Sequence, residues 1–354
     1  MSHDFQRRMS EAARLMRSGS LMEATAAIQQ ALGVTQQPPS TTPAYADADP
    51  DVIDVEARVV GEPVAAPGQA ERGRGESFTT GHFRNECGGR DYKLFEPARV
   101  DDAPLPLVVM LHGCTQDPDD FARGTRMNAL ARAQGFLVLY PSQSQRANAQ
   151  RCWNWFKHNH QARGKGEPSI LAGMVHEVIA THGVDPARVY VAGLSAGGAM
   201  ATILGDAYPD LFAAVGVHSG LPTGSARDVQ SAFAAMSGGA QPVRRAAKTG
   251  ATPPTIVFHG DADTTVNVVN GERVLEAAGL SARPEATRGA SAMGAPYSRR
   301  VYIDGQGAER AEQWTIHGAG HAWSGGDLAG SYTDPRGPDA SAEMLRFFLQ
   351  HPKG

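Results

Sequence analysis

Val189-Tyr-Val-Ala-Gly-Leu-Ser-Ala-Gly-Gly-Ala-Met200 reads as an apolar strand, then Gly193-Leu194-Ser195-Ala196-Gly197, then a helix of small residues. G-x-S-x-G acquires chemical meaning in this setting, because the serine falls at the tip of a sharp strand-to-helix turn. Glycines at 193 and 197 let the neighbouring backbones pass without a Cβ clash. The helix beginning at Ala196 aims its N-terminus at charge developing beside Ser195 Oγ. A serine in a Gly-rich helix cap would share these letters; the flanking strand and helix favour a nucleophile.

The texture around this stretch is α/β. Leading strands over 77–83 and 92–95 form a hairpin. Leu107–Leu111 (LVVML), Phe136–Tyr140 (FLVLY), Val189–Ala192, Ala214–His218 (AVGVH), Thr255–His259 (TIVFH) and Gln313–His317 (QWTIH) are compact apolar runs of strand length. Helical segments are expected at about 119–134, 168–182, 196–207, 268–279 and 339–350. Strands alternating with helices predict an α/β-hydrolase fold: a mostly parallel sheet with helices on both faces. Residues 221–250 interrupt the alternation and could form a lid.

In such a fold an acid and then a histidine follow the nucleophile along the chain. Ile256-Val-Phe-His-Gly-Asp-Ala-Asp-Thr-Thr-Val266 offers Asp261 and Asp263 after a strand. Asp263 is preferred, since Asp261 sits directly in the turn after Gly260 and can cap or shape it. His317-Gly-Ala-Gly-His321 offers two histidines. His317 still belongs to the strand pattern, whereas His321 lies in a Gly-rich loop, so His321 is the expected base. His112-Gly-Cys-Thr-Gln116 follows the first strong strand, where a loop donates one oxyanion N–H. The expected donors are the backbone N–H groups of Cys114 and Ala196.

The 354 residues allow one large α/β domain plus an appendage. Residues 1–32 read as a helical hairpin, with Phe5, Met9, Ala12, Leu15 and Met16, then Leu21, Ala24, Ile28 and Leu32, at helical spacing around Gly19-Ser20. Residues 33–75 are rich in Pro, Ala and acidic residues and read as a flexible linker; residues 76–354 form the expected catalytic domain. A net charge of −4 gives no reason to expect nucleic acid. No apolar run approaches the ~20 residues of a membrane span. The first twenty residues lack the apolar core of a secretory signal, which favours a cytoplasmic location. His158 and His160 supply too few ligands for a metal and read as a solvated loop. Cys87, Cys114 and Cys152 are too few for a disulfide scaffold but allow one pair and a free thiol.

In order along the chain, LHGCTQ (111–116), CWNWF (152–156), GLSAGGAM (193–200), HGDADTTV (259–266) and GHAWSGG (320–326) resemble the polyhydroxybutyrate (PHB) depolymerase family of esterases, which includes feruloyl and acetylxylan esterases. The resemblance covers roughly residues 77–350. It implies an α/β-hydrolase fold, no metal and no organic cofactor, and ester hydrolysis through an acyl-enzyme. Its triad matches Ser195, Asp263 and His321. It supports a Cys114–Cys152 disulfide pinning the oxyanion loop, with Cys87 unpaired; in a reducing cytosol the two would be buried thiols instead. Many members are secreted and carry a polymer-binding domain, and neither feature is visible here. Trp153, Trp155 and Trp323 fall within these motifs and are candidates for an apolar wall against substrate, or for core packing. The apolar stripe on residues 5–32 could dock a polymer granule or a protein partner.

Overall fold

The computed structural model describes residues 75–99, 101–238, 252–278 and 284–354. The expected hairpin (1–32), nearly all of the expected linker, and residues 239–250 of the expected lid lie outside them.

A ten-stranded sheet has the order β1-β2-β4-β3-β5-β6-β7-β10-β9-β8. Its strands are β1 (Ser77–Asn85), β2 (Gly88–Glu96), β3 (Leu105–Leu111), β4 (Leu137–Pro141), β5 (Val184–Leu194), β6 (Ala214–His218), β7 (Thr255–Gly260), β8 (Glu285–Ala290), β9 (Pro296–Ile303) and β10 (Glu309–Ile316). From β4 to β10 neighbours are parallel. Antiparallel strands flank this block on both sides. A small parallel pair, β11 (Trp323–Ser324) and β12 (Thr333–Asp334), lies outside the main sheet.

The central strands are apolar on both faces because both faces are covered. Leu107, Val109 and Leu111 of β3 join a core with Met174 and Val175 of α3 (Gly166–Thr181) and Met200 and Leu204 of α4 (Ala196–Ala207). Val108 and Met110 face the opposite core, with Phe121 of α1 (Pro118–Thr125), Ala131 of α2 (Met127–Gln134) and Phe347 and Phe348 of α7 (Ala340–Gln350). Each of the larger side chains contributes roughly 1.5–3 kcal/mol by leaving water. The remaining helices are α5 (Val229–Met236), within the expected lid, and α6 (Val269–Ala277).

Two local readings need correction. The helix expected over 119–134 is broken at Arg126, whose φ is 54°. The Thr125 carbonyl accepts from Ser341 Oγ at 2.6 Å and Arg126 reaches Gly325 O at 2.8 Å, so tertiary partners hold the break open. Strands β8 and β9 have no counterpart among the expected elements. Their sequences, EATRGA and PYSRRVYI, are too polar to read as sheet. In β9 the polarity is satisfied: Arg299 donates to the buried Glu312 at 2.6 and 2.9 Å, and Arg346 of α7 joins it at 2.5 Å.

Candidate active site

Parallel strands place every strand's carboxyl end on one edge. Along that edge stand the loop 112–117 after β3, Ser195 after β5, His218 at the end of β6, Asp261 and Asp263 after β7, and His317 and His321 after β10.

Ser195 has φ 57° and ψ −117°, a region L-residues seldom occupy. Its N–H donates to His218 O at 2.8 Å, and its carbonyl accepts from Ala199 N at 2.9 Å. The turn needs its glycines: a Cβ on Gly197 would fall on the Leu111 carbonyl, and one on Gly193 on the Gly197 backbone. Ser195 Oγ makes no hydrogen bond to any described residue.

Asp263 and His321 are brought together. Asp263 Oδ2 accepts from His321 Nδ1 at 2.6 Å. Its other oxygen accepts from Thr265 N and Val266 N, both at 2.8 Å. His259 Nε2 lies 3.5 Å from Oδ2 and also bonds Val266 O at 2.8 Å. Burial alone would raise the Asp263 carboxyl; the histidine and backbone hydrogen bonds outweigh it and hold the group well below the usual carboxylate range. With Nδ1 occupied, the His321 Nε2 side is left without a partner among the described residues.

Strands β6 and β7 stand between β5 and β10, so the chain after β10 must reach back to bring His321 toward Ser195. It does so as one continuous sweep. Ala262 N, beside β7, donates to Ala319 O at 3.0 Å. Ser324 N donates to His218 Nε2, at the end of β6, at 2.9 Å. Ser331 N reaches Asp120 at 2.9 Å, and Tyr332 OH lies 3.3 Å from Thr115 Oγ1 in the loop after β3. The sweep is thus fastened in turn beside β7, at the end of β6 and at the segment after β3. His218 is its midpoint support: burial, then neighbouring His259 and His321, push its ring well below the ordinary histidine range, so it stays neutral and accepts from Ser324.

The loop after β3 is rigidly held. A disulfide joins Cys114 to Cys152, leaving Cys87 as an exposed free thiol. Thr115 N donates to Gln150 O at 2.7 Å. Burial lowers His112 to about 4. Its neutral ring bonds Gly113 O through Nδ1 at 2.7 Å and accepts from Gln143 N at 3.1 Å. Gln143 in turn donates to the buried Glu167 at 2.6 Å, which also accepts from Asn154 N at 2.7 Å and Arg90 at 3.0 Å.

The tryptophans pack rather than line a wall. Trp153, Trp155 and Trp323 are 0, 6 and 1% exposed. Trp153 Nε1 donates to His112 O at 3.1 Å, and Trp323 Nε1 to Ser341 Oγ at 3.0 Å. All three are enclosed by protein, which favours core packing over an open wall against substrate. His160 turns inward, accepting from Glu167 N at 3.2 Å. Sequence reasoning missed His218, His259, Gln143 and Glu167. His218 and His259 each left a signal, as polar residues closing the apolar runs AVGVH and TIVFH.

Comparison with known proteins bears on this arrangement. The family model described as Esterase PHB depolymerase matches residues 90–287. Poly(3-hydroxyalkanoate) depolymerase C of Paucimonas lemoignei is 34% identical over 229 residues, covering 62% of this chain and 55% of the relative. Feruloyl esterase B of Thermothelomyces thermophilus is 30% identical over 229 residues, covering 60% of this chain and 77% of the relative. The chain spans about half the length of the curated depolymerases it matches. Among solved structures, an acetyl xylan esterase from Aspergillus awamori superposes with a TM-score of 0.58 at 21% identity, covering 74% of this chain and 94% of that one, which shows a shared fold. The family match takes in more than half of the sequence, and this chain belongs to the esterase PHB depolymerase family.

Proposed function

We propose that this chain is a serine carboxylic-ester hydrolase acting on short-chain 3-hydroxyalkanoate esters or their oligomers. The observation that carries the proposal is the pairing on one sheet edge of a strained Ser195 with an open Oγ and an Asp263–His321 pair whose Nε2 side is open. His321 takes the Ser195 proton as Oγ attacks the ester carbonyl. The oxyanion is met by the N–H groups of Cys114 and Ala196, the latter at the start of α4. His321 returns the proton to the leaving alcohol, and an acyl-Ser195 intermediate remains. Water, deprotonated by His321, then releases the acid. Asp263 holds the ring in the required tautomer and stabilises the imidazolium. Ser195 has no hydrogen bond to His321 here, so substrate binding is expected to draw the two together.

Hydrolysis of p-nitrophenyl butyrate by wild type and Ser195→Ala tests the assignment. A fall of more than about 10³-fold is expected; equal activity would overturn it. The depolymerase relative supports the hydroxyalkanoate substrate. A feruloyl or acetylxylan ester is the alternative, supported by the feruloyl esterase relative matched over 77% of its length. Release of 3-hydroxybutyrate from its oligomers, set against release of ferulate from methyl ferulate, separates them. Docking through residues 5–32 is a further proposal on residues outside the described ones. Deleting 1–70 should abolish granule binding and spare soluble-ester turnover.

A further inference from the structure

A second Ser–His–Asp array stands beside the first. Asp261 Oδ2 accepts from His317 Nδ1 at 2.7 Å, and His317 Nε2 lies 2.8 Å from Ser298 Oγ. It lacks the features of a reaction centre. Ser298 lies within β9, paired in register with Thr315, and is absent from the residues with positive φ. Both ring nitrogens of His317 are engaged, whereas His321 keeps one open.

The array does something else. Asp261 Oδ1 accepts from Gly318 N at 2.6 Å, so one carboxylate grips both a side chain and the backbone at the start of the His321 loop. The backbone adds Asp261 N to Ile316 O at 3.1 Å and Ala262 N to Ala319 O at 3.0 Å. A Cβ at Gly260 would strike the Ala319 carbonyl, so the two turns are in tight contact. Asp263 lies two residues beyond Asp261. His321 lies two residues beyond Ala319, across a loop containing Gly318 at φ 75° and Gly320. Two glycines give that loop conformational freedom that must be removed before His321 is held in place.

We infer that Asp261, with His317 and Ser298, is a positioning device that sets the register of the loop carrying His321 against the turn carrying Asp263. The inference rests on the role proposed above for His321. His317 and Asp261 are each more than a third exposed, so the pair adds little to overall stability. Its effect falls on the placement of one ring, where an error of about 1 Å can lower turnover ~10²-fold.

The test uses the full-length chain, comparing wild type with Asp261→Ala, Asp261→Asn and Ser298→Ala on p-nitrophenyl butyrate. It adds proton NMR of the low-field His321 Nδ1–H resonance and thermal melting. Asp261→Ala is expected to lower kcat by about ten- to a hundredfold, with KM changed less than about twofold and the resonance shifted or broadened. Asp261→Asn keeps an acceptor for Gly318 N and is expected to recover most of kcat. Ser298→Ala keeps the Asp261 grip and is expected to lose less than Asp261→Ala. Unchanged kcat and resonance in a folded Asp261→Ala would overturn the inference. So would a loss of kcat explained wholly by the unfolded fraction, or fluorophosphonate labelling of Ser298 in Ser195→Ala. A wild type without esterase activity would instead overturn the proposed function, and the resonance would still report whether Asp261 positions His321.

Discussion

The indole of Trp323 lies against the imidazole of His218, with ring centroids 5.1 Å apart and planes 27° from parallel. The contact joins the end of β6, whose carbonyl receives Ser195 N–H, to the loop that carries His321. Phe258 stacks on His218 at 5.9 Å, and Phe121 meets Trp323 edge-on at 5.5 Å. Trp323→Ala is therefore expected to destabilise by about 3–5 kcal/mol. In the surviving folded protein kcat should fall more than KM changes. Urea unfolding with steady-state kinetics at low temperature checks both, and an unchanged kcat would show that the stack does not steady His321.

Asp263→Asn should leave the fold standing and reduce kcat by about 10³–10⁴-fold, because an amide favours the wrong imidazole tautomer. The pH behaviour follows from the same group. The folded-state pKa of Asp263 is depressed, so its stabilising contribution is fully present above its unfolded value of about 3.9 and is lost only as pH falls toward the folded value. Activity lost on acidification above pH ~4 should therefore not come from protonating Asp263, and carboxyl-carbon NMR of this residue would check that it stays ionised.

Cys114 and Cys152 are 38 residues apart in sequence, and closing such a loop in the unfolded chain is worth up to about 4 kcal/mol. The double variant Cys114→Ala/Cys152→Ala should lose stability on that scale. It should keep measurable turnover, because the same loop is also held by His112 on Gln143, by Trp153 on His112 O and by Thr115 on Gln150 O. A folded double variant with no activity would show that the covalent link alone sets the loop that carries Cys114.

His112 is neutral and buried in the fold, lowered to about 4, and returns to about 6.5 when unfolded. The unfolded chain thus binds the extra proton first as pH falls. Stability from this group is fully present above pH ~6.5 and declines toward pH ~4, by up to about 3 kcal/mol. Denaturant midpoints across that window should fall, and His112→Gln should flatten the slope. An identical slope in the variant would assign the loss to other groups.

Much of the fold was readable because buried parallel strands must be apolar throughout, as in LVVML, FLVLY and TIVFH. The candidate triad was readable because its members follow strand ends in a fixed order. β9 was not, because Arg299 and Arg300 look solvated until Glu312 and Glu272 are seen beside them. The tryptophans could not be placed, since a motif does not say which side of a loop an indole occupies. Glu167 was invisible for a different reason: its partners Arg90, Gln143 and Asn154 come from separate segments, and only folding brings their donors onto one carboxylate.

The sweep from His317 to Tyr332 has a consequence for how the molecule fails. Beyond the small β11–β12 pair, it is tied to other elements by scattered side-chain and loop bonds, among them those to Asp261, Ala262, His218, Gln116, Asp120 and Thr115, whereas the sheet beneath is laced by continuous ladders. The strip should peel away as one low-energy cooperative unit while the sheet persists. On warming, then, catalytic competence and amide protection in this strip should be lost together, at a temperature below the global melting transition.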